Sequence, residues 1–415
     1  GQTSAVKEVL AVLDSQEALP MLWRASLSDD ANERQQFIAA AEHCHAHNVR
    51  FPNSLDEVQM LQSLGDSAFA RYLLGCFWYS KRRYDEAVSC WRETLEKSPD
   101  YAPAHRLLGV YSWNKQQDAT QALAYLQRAV ALEPDNARFL FELDFLQKLL
   151  ARPVHERLTT LVERKAVVLK RDDLTAELLS LWNASGHYAD AAAILDTRVF
   201  HPWEGGEGKI TGQYLLNQLH RALQFIERGA FKQATDCLKA ALRYPDNLGE
   251  GRLPGQTDND IWYLLGYCAE QAGDAQQAAE YYQLARQGGS TLDAGRYYND
   301  QPADYLFWQG IALRKSGNPA QAEQHFRHFI DWAAQHRDDV PQVDFFAVSL
   351  PDLVVLDVSA QQRHQQHCLF IEALGHLGLG NVSACQQRMQ QLLQINPAHD
   401  KAHLIRHALQ SGIFS

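Results

Sequence analysis

Glu204, Glu207 and Glu250 are the carboxylates with the most suggestive surroundings. They lie in His201-Pro202-Trp203-Glu204-Gly205-Gly206-Glu207-Gly208-Lys209 and in Asn247-Leu248-Gly249-Glu250-Gly251-Arg252. Each stretch holds Gly-Glu-Gly followed by a cation, Lys209 in the first and Arg252 in the second. Glycine permits backbone conformations with positive φ and lets a partner approach closely. A carboxylate accepts hydrogen bonds from hydroxyls, and the adjacent cation balances its charge. That combination suits a sugar or another polyhydroxylated ligand, with Trp203 close by. Glycosidases use two carboxyls roughly 5 to 9.5 Å apart, a distance that sequence does not give. The alternative is a pair of glycine-rich turns whose Glu and Lys or Arg form local salt bridges.

Other chemistries fail on spacing. Gly208-Lys209 is followed by Ile210, and Trp203 stands where a phosphate-binding loop needs its first glycine. The dinucleotide fingerprint requires a preceding strand, and none is predicted there. No Gly-x-Ser-x-Gly elbow occurs, so no catalytic nucleophile is assigned. His43 and His47 share a helical face at i, i+4, but no third metal ligand follows, and a solvated polar face is the plainer reading. No metal, cofactor or catalytic residue is therefore expected, and catalysis by this chain alone is not.

Helical hairpins must position the glutamate loops. Leu74-Gly75 is followed by Trp78, Tyr84, Ala87, Trp91 and Pro99, and Leu108-Gly109 by Ala122, Leu126, Ala129 and Pro134. Gly75 and Gly109 stand 34 positions apart. Small residues at fixed offsets let two helices cross closely, aromatics fill the space between them, and proline ends the second helix. A worn copy follows at Gly186-His187-Tyr188, then others at Gly229-Ala230-Phe231, Trp262 to Ala285 (a good match), Gly310 to Phe326, and Gly380 to Pro397. Asp400 to Leu409 reads as a capping helix. The stretch from Asn136 to Arg171 is helical but matches poorly. Strand signals are nearly absent; Phe345 to Val348 with Val354 to Leu356 is the best, and it reads equally as loop.

Over most of residues 67–415 this pattern resembles the tetratricopeptide repeat. The resemblance implies an all-α solenoid of antiparallel helix hairpins. Residues 1–66 read as helical hairpins that cap the N-terminal side or pack against a missing upstream domain, 67–171 as repeats and a degenerate segment, and 172–415 as repeats with long loops. Four long connections, 201–211, 244–258, 287–304 and 338–359, each follow a second helix. Equivalent loops of a solenoid emerge along the same edge. The resemblance also places Phe69, Tyr72, Tyr79, Arg106, Trp113, Tyr263, Tyr267 and Phe307 near the inner groove. Aromatics with polar tips suit partner binding there and also ordinary helix packing. The family's clamp for C-terminal carboxylates needs Lys and Asn where this chain has Tyr72, Cys76, Arg106 and Val110, so that ligand is not expected. Three stretches, 200–209, 244–252 and 344–353, are similar to the C-terminal half of enterobacterial YphG-type proteins. That likeness implies a missing upstream domain and a setting in carbohydrate metabolism.

Bulk properties set outer bounds. The 415 residues exceed one compact core. A net charge of −11 gives no counterion-release drive toward nucleic acid and suits anionic membranes poorly. No apolar run is long enough to span a bilayer. The opening Gly1-Gln2-Thr3-Ser4 suggests a tag remnant on a piece of a longer protein. The seven cysteines form no C-x-x-C pair, which suggests buried thiols in a reducing, cytoplasmic setting. The expectation is a scaffold that binds a protein or its own upstream domain. The alternative is a loop edge that forms or completes a carbohydrate site.

Overall fold

The computed structural model describes residues 8–10, 17–47, 50–292, 302–340 and 355–414. Within them the chain is all-α, with no strand. Phe345 to Val348, Val354 and the 344–353 motif lie outside the described residues, as do parts of the connections 287–304 and 338–359.

The chain divides into two compact units, residues 1–139 and 140–415. In the first, α1 (Ala18–Leu27) pairs with α2 (Ala31–His47), and α3 (Leu55–Ser63) follows. Next, α4 (Ala68–Ser80) pairs with α5 (Tyr84–Lys97). Then α6 (Ala102–Tyr111) pairs with α7 (Ala119–Leu132) through a π-helical turn, Ser112–Gln116. The helix α8 (Ala137–Leu149) carries the chain into the second unit.

There, α9 (Val154–Glu163) and α10 (Lys165–Val168) precede five hairpins. These are α11 (Asp172–Ala184) with α12 (Tyr188–Leu195), α13 (Lys209–Glu227) with α14 (Phe231–Ala241), and α15 (Asn259–Gln271) with α16 (Ala275–Leu284). The last two are α17 (Tyr305–Lys315) with α18 (Pro319–His336), and α19 (Ala360–Gly378) with α20 (Val382–Ile395). A final helix, α21 (Asp400–Gln410), follows.

The close crossings have the cause that the repeat pattern suggests. A Cβ at Gly75 would lie 2.4 Å from Trp91 Nε1, and one at Gly266 2.6 Å from the Tyr282 ring. At Gly310 it would meet the Phe326 ring at 2.5 Å. Each glycine thus lets the partner helix seat a large ring against its backbone. Trp91 is fully buried and its indole N–H donates to the Tyr72 carbonyl at 3.3 Å. Side-chain caps fix several helix starts: Ser67 accepts from the Ala70 N–H, Asp118 from Gln121 and Asp274 from Gln277.

Turn glycines reveal the period of the second unit. Gly186, Gly229, Gly273 and Gly317 all adopt positive φ between the two helices of a hairpin. They stand 43, 44 and 44 positions apart. The basic hairpin of 34 residues has been lengthened by the connection after each second helix.

No described helix is long and apolar enough to cross a membrane. The cysteines are unbridged, and burial pushes the Cys268 and Cys385 thiols up to about 12, which leaves them unreactive near neutrality.

Candidate functional site

The two Gly-Glu-Gly loops touch. The Phe200 N–H donates to the Asn247 carbonyl at 2.8 Å, and the Asn247 amide returns bonds to Leu195 O and Arg198 O. Gly249, at φ +78°, runs so close to this strap that a Cβ would fall 2.5 Å from the Phe200 carbonyl oxygen. The Glu250 carboxylate reaches the start of α13. It accepts the Gly208 N–H at 2.9 and 3.2 Å and faces the Thr211 hydroxyl at 3.3 Å. A carboxylate at a helix N-terminus satisfies otherwise unpaired N–H groups and the positive end of the helix dipole.

Glu207 and Glu250 line one half-open cavity of about 420 Å³. Leu215, Leu216 and the rings of Tyr244 and Tyr305 supply its apolar wall, and Lys401 of α21 also lines it. The other loop residues are placed elsewhere. The Trp203 indole lies over Gly206, where a Cβ would meet it at 2.0 Å. Glu204 and Lys209 are exposed. Arg252 is paired with Asp258 and sits 5.8 Å from the centre of the Tyr244 ring.

The inner face of the second unit is already filled. α21 packs against α11 and α13, and the residues after it continue onto α15 and α17. The Tyr263 hydroxyl donates to the Ile413 carbonyl at 3.1 Å. Phe414 packs edge-on against Phe307 and tilted against Trp308. Tyr263 and Phe307 are therefore fully buried, while Tyr267 stays half-buried. Ser180 and Gln213 donate to the two oxygens of Asp400, each at 2.8 Å. Lys401 lies 3.1 Å from Asp304 and 3.7 Å from the fully buried Asp260. Burial pulls the Lys401 amine down, but Asp304 and Asp260 hold it above its ordinary value. Burial pushes the Asp260 carboxyl up.

The first unit presents an open counterpart. A cavity of about 560 Å³ is lined by Tyr72, Tyr79, Arg106, Glu133, Arg138 and Phe139, among others. Phe51, 45% exposed, stands at its lip. Tyr72 and Tyr79 come from α4 and Arg106 from α6, the first helices of consecutive hairpins. Among the described residues no group of three metal-ligating side chains occurs, and the side chain of His47 lies outside them.

A family model described as tetratricopeptide repeat matches residues 78–137 and 219–295. Those two stretches match the tetratricopeptide repeat. Solved structures with detectable likeness include PilW, a type IV pilus biogenesis factor, at 16% identity over 52% of this chain and 90% of that one, with a TM-score of 0.28. Naa15/Naa10 bound to HypK-THB matches at 14% identity over 88% of this chain and 53% of that one, TM-score 0.37. The human IFIT1 dimer with PPP-AAAA matches at 14% identity over 94% and 93%, TM-score 0.29.

Sequence reasoning missed the polar seam under α21. Asp260, Asp304 and Lys401 are separated by up to 141 positions. Their only local signal was an acid at the start of two first helices, Asp260 in α15 and Asp304 just before α17.

Proposed function

We propose that the chain is a tetratricopeptide scaffold that binds a protein segment in the inner groove of its first unit. The observation that carries this reading is the open, aromatic-lined cavity between α4 and α6, in contrast to the filled face of the second unit. Buried aromatic and arginine anchors carry most of the affinity in such contacts. Tyr79, Phe139 and Phe51 offer apolar surface, and Arg106 and Arg138 offer cationic donors. The favoured ligand is a segment with a large apolar side chain next to a carboxylate.

Selection of a displayed random-peptide library on the full chain tests this. Enriched peptides should share an aromatic–acidic pair, and Arg106→Glu should weaken them at least tenfold, roughly 1.4 kcal/mol. Peptides that bind the Arg106→Glu and Tyr79→Ala variants as well as the parent would remove this groove as the site.

A second reading rests on Glu207 and Glu250 sharing one cavity. Tyr244 and Tyr305 would stack on the apolar face of a sugar ring while Glu207 accepts its hydroxyls. Calorimetry against a monosaccharide panel should then show binding that Glu207→Gln abolishes. A flat response to the whole panel by the parent chain would dismiss the sugar.

A further inference from the structure

The contact of α21 with α12 and α13 is built around two histidines that share one proton site. His220 of α13 is 1% exposed and His407 of α21 is 9% exposed. Their Nδ1 atoms lie 2.9 Å apart, and the Tyr188 hydroxyl approaches the same His407 Nδ1 at 3.2 Å. The three rings are stacked, with centroids 4.7 Å apart for Tyr188 and His220 and 5.2 Å for His220 and His407. One neutral arrangement fits these contacts. The Tyr188 O–H and the His220 Nδ1–H both donate to His407 Nδ1, and His407 Nε2–H faces Glu227 at 3.3 Å. A single added proton can be accommodated, because Glu227 stabilises a charged His407. A second cannot: both Nδ1 atoms would then carry hydrogen, and two cations would face each other across a hydrogen-bond distance in a buried site.

We propose that α21 and the residues after it, through 414, form a latch over the inner face of the second unit, and that protonation of the His220–His407 pair releases it. Leu404, Ile405 and Ile413 of this segment join the apolar core of the second unit, and polar bonds fix its seat there. Its specific bonds are polar and pairwise: Asp400 to Ser180 and Gln213, Lys401 to Asp260 and Asp304, Ser411 to Glu227, and Ile413 to Tyr263. The hairpins beneath it also pack directly on one another, α11 on α13, α14 on α15 and α15 on α17, without α21. Release would bare the first helices α11, α13, α15 and α17 as a groove of the second unit.

The charges facing the pair set the sign. Glu227 lies on the His407 side, and Arg406 and His403 lie on α21 itself, with the Arg406 guanidinium 2.9 Å from His403 Nδ1. Burial holds His220 well below the ordinary value of 6.5, with His407 and His403 adding to the effect. Burial likewise lowers His407 and His403, and it takes His399 to about 4. The released state takes up protons near 6.5 that the latched state refuses. The latch is therefore indifferent to pH above about 7 and weakens as pH falls from about 6.5 toward 4. Asp400, Asp260, Asp304 and Lys401 hold the other end.

Amide hydrogen exchange on the full chain tests the latch, with rates corrected for the intrinsic pH dependence. Protection of residues 400–414 should fall at least tenfold between pH 7.5 and pH 5, while protection of α19 holds. His220→Gln keeps a donor toward His407 but does not titrate, so it should flatten this step. If that variant does not fold, His407→Gln serves the same purpose. Lys401→Gln should lower protection at both pH values and keep the step. The latch is refuted by protection that is constant with pH, by parallel loss in α19, by an undiminished step in the histidine variants, or by a step abolished in Lys401→Gln.

Discussion

Gly75 shows how one residue sets the geometry of a hairpin. Its missing side chain admits the Trp91 indole, which is fully buried and hydrogen-bonded to Tyr72 O. A methyl group there has no room, because the blocking atoms belong to a rigid ring rather than a flexible chain end. Gly75→Ala should destabilise the first unit by about 1–3 kcal/mol, as overpacked cores do. Denaturant melts followed by tryptophan fluorescence read the loss, and an unchanged midpoint would mean that α4 and α5 do not depend on this contact. The glutamates teach a different lesson. Sequence paired Glu207 with Glu250 by their identical glycine flanks, and both line the same cavity. It did not separate their roles. Glu250 is bound to the start of α13, while Glu207 accepts the Gly205 N–H within its own loop.

Between helices, the Arg157 cluster is a buried polar joint. Arg157 and Asp144 are each 2% exposed and form a bidentate pair at 2.9 and 2.7 Å. Glu177 completes it, 3.0 Å from Arg157 and 2.8 Å from Lys148. The cluster ties together α8, α9 and α11, the region where the repeat pattern was weakest. Arg157→Ala would leave Asp144 buried without its partner, and a loss of about 3–5 kcal/mol is expected. Chemical denaturation checks this, and a loss below about 1 kcal/mol would show that the charges are hydrated or unpaired in solution. The hairpins themselves were legible, because each depends on local spacing: Leu74-Gly75 against Trp91, Gly266 against Tyr282. The destination of α21 was not legible. Its contacts with Ser180, Tyr188 and Gln213 join residues 187 to 220 positions apart, and no periodicity encodes such a distance. Tyr263 and Phe307 looked like groove residues for the same reason. They do face inward, but the end of the chain covers them.

Taken as a whole, the molecule repeats one supersecondary unit and uses its inner surface differently in its two units. In residues 1–139 the face between α4 and α6 is open and aromatic. In residues 140–415 the corresponding first helices α11, α13, α15 and α17 are covered from within. A peptide from the library selection therefore has a defined address. The most direct measurement is hydrogen exchange of the full chain at pH 7.5 with and without a selected aromatic–acidic peptide. The scaffold account predicts new protection in α4 and α6 and none in α13 or α15. New protection in α13 and α15, with α21 losing its own, would contradict it.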